Sequence, residues 1–403
     1  MIKQHIFKNI NVLNVLLALT FCLNFFPSNI KSVVLILLGL HIIISAVKEK
    51  NRINFKFLFN FGLVYLILLT TIFYSSNTNE GFLRLQTMLS LLIFPLYFSL
   101  IPVEKYKKIK INLFLWCYII SIVIFHLGVF IWFYFTEFNF QDTITHFQEL
   151  ITFRLGKLSV HPIYLSMNCC IAIFFGFYLL SKKPSSLKRK AIYFLQLLMF
   201  LFMILHAKKG PILAFILTTI IYFLVFKKKV FIPLVVVLLL SIVFVSIPKV
   251  NKRFLEIFNI EKLTKDNANS TNIRVAIYKN SIYLIKQSPF FGYGIGDYNQ
   301  ELKEKYKIEG QEVLLLKNYN SHNQYLSFLL IGGPLVLLTY MWFFYTNIKK
   351  ALFNKNKIFV ILLIFYSIVM LTENILEREN GVIFYAFFLT LFGYKNYYKF
   401  DKE

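Results

Sequence analysis

The sequence predicts an all-α, polytopic membrane bundle of about twelve transmembrane helices, with one large loop between the ninth and tenth. Three observations predict it. Hydrophobic residues make up 58% of the 403-residue chain, 47 of them Phe, and mean hydropathy is +0.63; a soluble domain of this length is far less apolar. The apolar runs are continuous and lack the period-2 alternation of barrel strands, which selects helices. Lys and Arg gather in every second polar break, the pattern of the positive-inside rule.

The candidate spans fall at 9–26, 32–47, 55–73, 83–100, 111–135, 161–180, 191–206, 211–226, 230–247, 325–345, 358–371 and 381–394. Most are close to the ~20 residues that a ~30 Å hydrocarbon core demands. With the N-terminus inside, segments 1–8, 48–56, 102–110, 181–190, 227–229, 347–357 and 395–403 face the cytoplasm. They hold 25 of the 44 Lys and Arg, against 12 in the 248–324 loop and seven elsewhere outside. Loops above ~60 residues cross largely regardless of charge, so both termini are expected inside. The net charge of +25 is then mostly topogenic and suits anionic lipid better than nucleic acid.

The first span lacks a small-residue cleavage site and is read as a signal anchor. Cys22, Cys117, Cys169 and Cys170 all fall inside spans, which argues against a disulfide scaffold or a metal cluster. The expected organisation is a nine-span bundle over 1–247, a loop with short helices over 248–324, and three spans over 325–403. No internal repeat is visible.

The charges that oppose this topology mark the candidate chemistry. Lys is mostly inside, whereas five of the seven Arg (Arg84, Arg154, Arg253, Arg274 and Arg378) are placed outside. Arg presents a fixed fork of donors suited to phosphate. His206-Ala207-Lys208-Lys209-Gly210-Pro211 reads as a tight outside turn, with Gly210 and Pro211 making a sharp break into the next helix. Ammonium groups and helix N–H groups there would form an anion site; the plain alternative is lysines snorkelling at a helix end.

In the long loop, Ser270, Thr271 or Asn272 is expected to cap an amphipathic helix reaching Gln287. Arg274 would then sit in its first turn, against the helix dipole. Gly292, Gly294 and Gly296 follow in Pro-Phe-Phe-Gly-Tyr-Gly-Ile-Gly-Asp and permit backbone conformations closed to other residues. No strand precedes them, so a dinucleotide fold is rejected. His322, in Asn-Ser-His-Asn-Gln-Tyr, stands at the mouth of the tenth span, where an imidazole can serve as base or acid. Arg154 and His161-Pro162-Ile163-Tyr164 flank the sixth span. Glu373 and Glu377 link the last two spans and, four residues apart, are expected to share a helix face; pairing with loop lysines is the structural alternative.

Together these features resemble the O-antigen ligase and O-antigen polymerase superfamily. The resemblance spans the whole topology and is most specific over residues 205–335. It rests on the basic turn before span eight, on Arg274-x-x-x-Tyr278 followed by Pro289-Phe290-Phe291-Gly292-Tyr293-Gly294-Ile295-Gly296, and on His322-Asn323-x-Tyr325-Leu326. The sequence departs where the family's turn residue is usually Arg and its aromatic usually Trp; Lys208 or Lys209 and Tyr278 stand there.

The resemblance implies a metal-independent glycosyltransferase of the bacterial inner membrane, with no cofactor and a periplasmic active site. Such enzymes take a glycan from undecaprenyl diphosphate. Ligases deliver it to lipid A-core, polymerases to another carrier-linked repeat. Arg274 and the basic turn would grip the diphosphate, with Arg154 as a further contact, and stabilise charge on the leaving group. His322 is the first candidate for the base that deprotonates the acceptor, Glu373 or Glu377 the second. Both branches share donor and topology; the single long loop and the His-Asn motif favour ligase. A lipid-linked oligosaccharide flippase is the competing class. It would need charged residues through the spans and often related halves, whereas here the polar groups gather on one face.

Overall fold

A computed structural model describes residues 11–136, 139–227, 255–256, 258, 260–265 and 267–398. The ninth candidate span, Arg253 and the outermost parts of both termini lie outside the described residues. Among those described the chain is helical, without a strand. Seven helices are long and apolar enough to cross a membrane: Ser28–Lys48, Phe55–Tyr74, Ile111–Thr136, Pro162–Ser181, Ser186–His206, Lys209–Phe226 and Gln324–Phe353. An eighth crossing forms if Thr78–Met88 and Ser90–Ser99, bent by 44°, count as one. Val12–Phe21 and Lys357–Val369 are shorter apolar helices.

The chain packs as two compact units. Of the described residues, the first comprises those within 11–54 and 97–212; the second comprises those within 55–96 and 213–398. In the first unit we label the helices α1 (Val12–Phe21), α2 (Ser28–Lys48), α3 (Ile111–Thr136), α4 (Phe140–Phe153), α5 (Pro162–Ser181) and α6 (Ser186–His206). α5 is buried along most of its length and packs on α3 and α6. One chain of polar side chains in these spans is paired within the protein, as a hydrocarbon surround favours. The Tyr118 hydroxyl donates to Asn168 (3.0 Å), whose amide donates to Asn24 (2.8 Å). α4 falls between two predicted spans in a stretch the sequence reading left without structure. Its Asn139 caps it by accepting from the Asp142 amide.

In the second unit the helices are α7 (Phe55–Thr70), α8 (Thr78–Met88), α9 (Ser270–Gln287), α10 (Tyr298–Ile308), α11 (Glu312–Leu316), α12 (Gln324–Phe353), α13 (Lys357–Val369) and α14 (Glu379–Gly393). α14 is buried over almost its whole length. α7 and α12 pack together, and Asn347 of α12 donates to Asn60 of α7 at 2.7 Å. α12 is broken near its start, where Gly332 and Gly333 leave helical geometry and Gly333 takes φ +59°. The 270–316 part of the loop does carry helices, as its patterning predicts.

The loop's glycine run seats itself on two membrane helices. The Tyr293 and Gly294 amides donate to the Leu330 and Ile331 carbonyls (2.7 and 2.8 Å) at the break in α12. The Ile295 and Gly296 amides donate to Thr71 Oγ1 and Ser75 Oγ (3.2 and 3.1 Å) just after α7. Gly292 and Gly294 adopt φ +66° and +80°. A Cβ on Gly296 would lie 2.1 Å from the Asn77 carbonyl oxygen. The three glycines thus serve close backbone approach as well as turn geometry.

Candidate active site

Asn269, one residue before the expected candidates, caps α9 by accepting from the Thr271 and Asn272 amides (2.9 and 3.0 Å). Arg274 therefore lies beyond the first turn, and its supposed conflict with the helix dipole is withdrawn. It is half-buried, with its Nε buried and unbonded. Tyr278 is one turn further along the same face. Its hydroxyl donates to the carbonyls of His322 (3.2 Å) and Leu371 (2.9 Å), tying α9 to the segments before α12 and α14. Burial raises the Tyr278 pKa, and the Arg274 charge acts in the opposite sense, so the phenol remains a donor.

His322 precedes the Asn323 cap of α12 and holds φ +45°, in the left-handed region. For a histidine this costs on the order of 1 kcal/mol. The Asn320 side chain accepts from its amide at 3.2 Å, while Tyr278 holds its carbonyl. The ring lies 3.3 Å, through Nδ1, from Glu373 Oε2. Glu373 is 7% exposed. A carboxylate on Nδ1 fixes the tautomer and leaves Nε2 as a proton acceptor.

Glu373 and Glu377 do not share a helix face. Residues Ile375–Glu377 form a single 3-10 turn after an irregular stretch, so the i, i+4 spacing of an α-helix does not apply. Glu377 accepts from Tyr298 (2.6 Å), Asn320 (3.2 Å), Asn374 (2.7 Å) and Ser327. Its partners are neutral donors and not loop lysines. With both oxygens engaged it fits an anchoring role better than that of a base. Tyr298 also accepts from Arg84 Nη1 at 2.9 Å, and Arg84 pairs with Glu80 at 2.7 Å. Burial, then the Glu377 charge, drives the Tyr298 pKa well upward.

Lys208, Lys209 and Arg154 belong to the first unit. The break in their turn is made by Ala207, which caps α6 at φ +43°, and not by Gly210. The Lys208 carbonyl accepts from the Ile212 amide (3.3 Å), and Pro211 lies in the first turn of Lys209–Tyr222, where a missing N–H costs nothing. Both lysines are half-buried. Arg154 is the exposed C-cap of α4. The second unit brings together Tyr278, which carries Arg274 one turn away, with His322 and Glu373, and sets Glu377 beside them.

The sequence model of a family described as O-antigen ligase matches residues 194–341. That segment contains Lys208, Lys209, Arg274, Tyr278 and His322. The match supports the O-antigen ligase superfamily for this segment. No curated protein matches the chain. In and near this segment, sequence reasoning missed Tyr298, Asn320, Ser327 and Asn374, the shell that holds Glu377. Arg84 carried a signal, as a cation on the outer side, and Asp297 another, as the acid closing the glycine run. Asp297 accepts from the Ser76 and Asn77 amides at 2.6 and 2.8 Å.

Proposed function

We propose that this protein transfers a glycan from an undecaprenyl diphosphate carrier to an acceptor at the periplasmic face of the bacterial inner membrane, as an O-antigen ligase acting on lipid A-core. The observation that carries the reading is the His322–Glu373 pair, strained into place and joined through Tyr278 to the Arg274 face, within a segment that matches the O-antigen ligase family.

In this reading His322 Nε2 takes the proton of the acceptor hydroxyl as the hydroxyl attacks the anomeric carbon. Glu373 stabilises the imidazolium that forms. Arg274 offers its guanidinium to the diphosphate oxygens on which charge grows as the glycosidic bond breaks. Attack from the face opposite the diphosphate inverts the anomeric centre. The resemblance extends diphosphate contact to Lys208 or Lys209, and metal independence has the same basis; Arg154 is added as a further contact from its place among the outer charges, on sequence alone.

The test is a surface-glycolipid gel from a strain lacking the protein, beside a complemented control. Core bands alone, with lipid-linked polymer accumulating in the membrane, are expected of a ligase. Core with a single repeat unit would reassign the protein as a polymerase. An unchanged ladder would overturn both readings and return attention to transport.

A further inference from the structure

Away from this site, three ligand-bearing side chains meet inside the first unit. His126 of α3, Cys169 of α5 and His206 at the end of α6 are each fully buried, and their ligand atoms lie within 4.8 Å of one another. His126 Nε2 is 2.9 Å from His206 Nε2 and 3.8 Å from Cys169 Sγ. His126 Nδ1 is 2.7 Å from the Ile122 carbonyl oxygen. A carbonyl only accepts, so Nδ1 carries the proton and Nε2 turns a bare lone pair towards the other two residues. Holding the far ring nitrogen on a backbone carbonyl is how proteins aim a metal-binding imidazole.

The spacing fits one small ion. Three ligands in a plane, bonded at roughly 2.0 Å through nitrogen and 2.3 Å through sulfur, stand about 3.5 Å (N···N) and 3.7 Å (N···S) apart. The Cys169 sulfur already stands at this distance from His126; the two rings need to part by about 0.6 Å. His206 Nδ1 has no hydrogen-bond partner, so no hydrogen bond on that side of the ring has to break for the movement.

Charge chooses the ion. The ligands lie in apolar spans, where an added net charge is expensive. On binding, the Cys169 thiol releases its proton to solvent and the metal takes its place. A monovalent ion makes that exchange without changing the charge of the site; a divalent ion would leave one positive charge buried. Thiolate and imidazole together suit Cu(I) among monovalent ions. Further soft atoms adjoin: the Cys170 thiol is 3.4 Å from Met203 Sδ, and Met203 precedes His206 by one turn.

We propose that His126, Cys169 and His206 bind one Cu(I) ion, tying the last residue of α6, and with it the turn at Lys208 and Lys209, to α3 and α5. Full-length protein in detergent, reduced with ascorbate, would be titrated with copper against the Cu(I) chelator bathocuproine disulfonate. One copper per chain is expected, with a K-edge absorption spectrum showing nitrogen and sulfur neighbours. Cys169→Ser should weaken binding by at least ~10-fold, while Cys22→Ser should not. Substoichiometric binding by the wild type, a shell without sulfur, unchanged affinity in Cys169→Ser, or zinc held in preference to copper would each overturn the assignment. If Cys169→Ser aggregates on gel filtration, the wild-type stoichiometry and spectrum decide alone.

Discussion

The Tyr298 hydroxyl donates to Glu377 at 2.6 Å while accepting from Arg84 at 2.9 Å. One phenol thus joins α8, α10 and the turn before α14. Tyr298→Phe removes a buried link whose two partners stay behind, at a cost of about 1–3 kcal/mol. Glu377→Gln should cost at least as much, because an amide nitrogen would then confront donors. Thermal unfolding in detergent micelles measures both, and a midpoint unchanged from wild type in either variant would show that the link adds nothing.

His322→Ala should lower glycan transfer by roughly 10²–10⁴-fold, the usual contribution of a positioned base. Glu373→Gln keeps the volume and loses the charge that steadies the imidazolium, so it should give a smaller loss in the same direction. In vitro transfer from a lipid-linked donor reads both. A wild-type rate in His322→Ala would pass the base role to Glu373.

Arg274→Ala should abolish transfer while membrane abundance stays constant, since among the described residues no carboxylate is bonded to this arginine in the fold. Arg274→Lys should recover little, because an ammonium cannot span two phosphate oxygens in a fork. Full rescue by lysine would mean that charge alone matters there.

Gly294→Ala is a test of architecture. Its Cβ would meet Ser75 Oγ at 2.2 Å and the Thr71 carbonyl at 3.0 Å, at a φ of +80°. Strain of this kind costs roughly 1–3 kcal/mol. Limited proteolysis of membranes should show faster cleavage within residues 270–316. Unaltered cleavage would mean that the loop does not depend on this seat.

The helices were legible because long apolar runs admit few alternatives: eleven of the twelve predicted segments overlap described helices, and seven of these helices are long and apolar enough to cross a membrane. His322 stands out in the sequence by its place at a span mouth. Its partner does not: Glu373 is 51 residues away, and sequence spacing reports only neighbours on one element. The same limit hid Tyr298 beneath Glu377 and dispersed His126, Cys169 and His206 over three spans. The expected helix face shared by Glu373 and Glu377 failed because the connection is a 3-10 turn, which no local composition announced. The cap of α9 was misplaced by one residue because Asn, Ser and Thr compete on nearly equal terms.

The break at Gly332–Gly333 leaves the carbonyls of Leu330 and Ile331 pointing out of their own helix, and the amides that answer them come from residues 293 and 294 of the preceding loop. Lipid cannot hydrogen-bond those oxygens. The membrane segment beginning at Gln324 is therefore chemically incomplete until its upstream neighbour has folded against it. The bent crossing and the 290–296 segment thus complete each other's hydrogen bonding, so neither reaches its final geometry without the other.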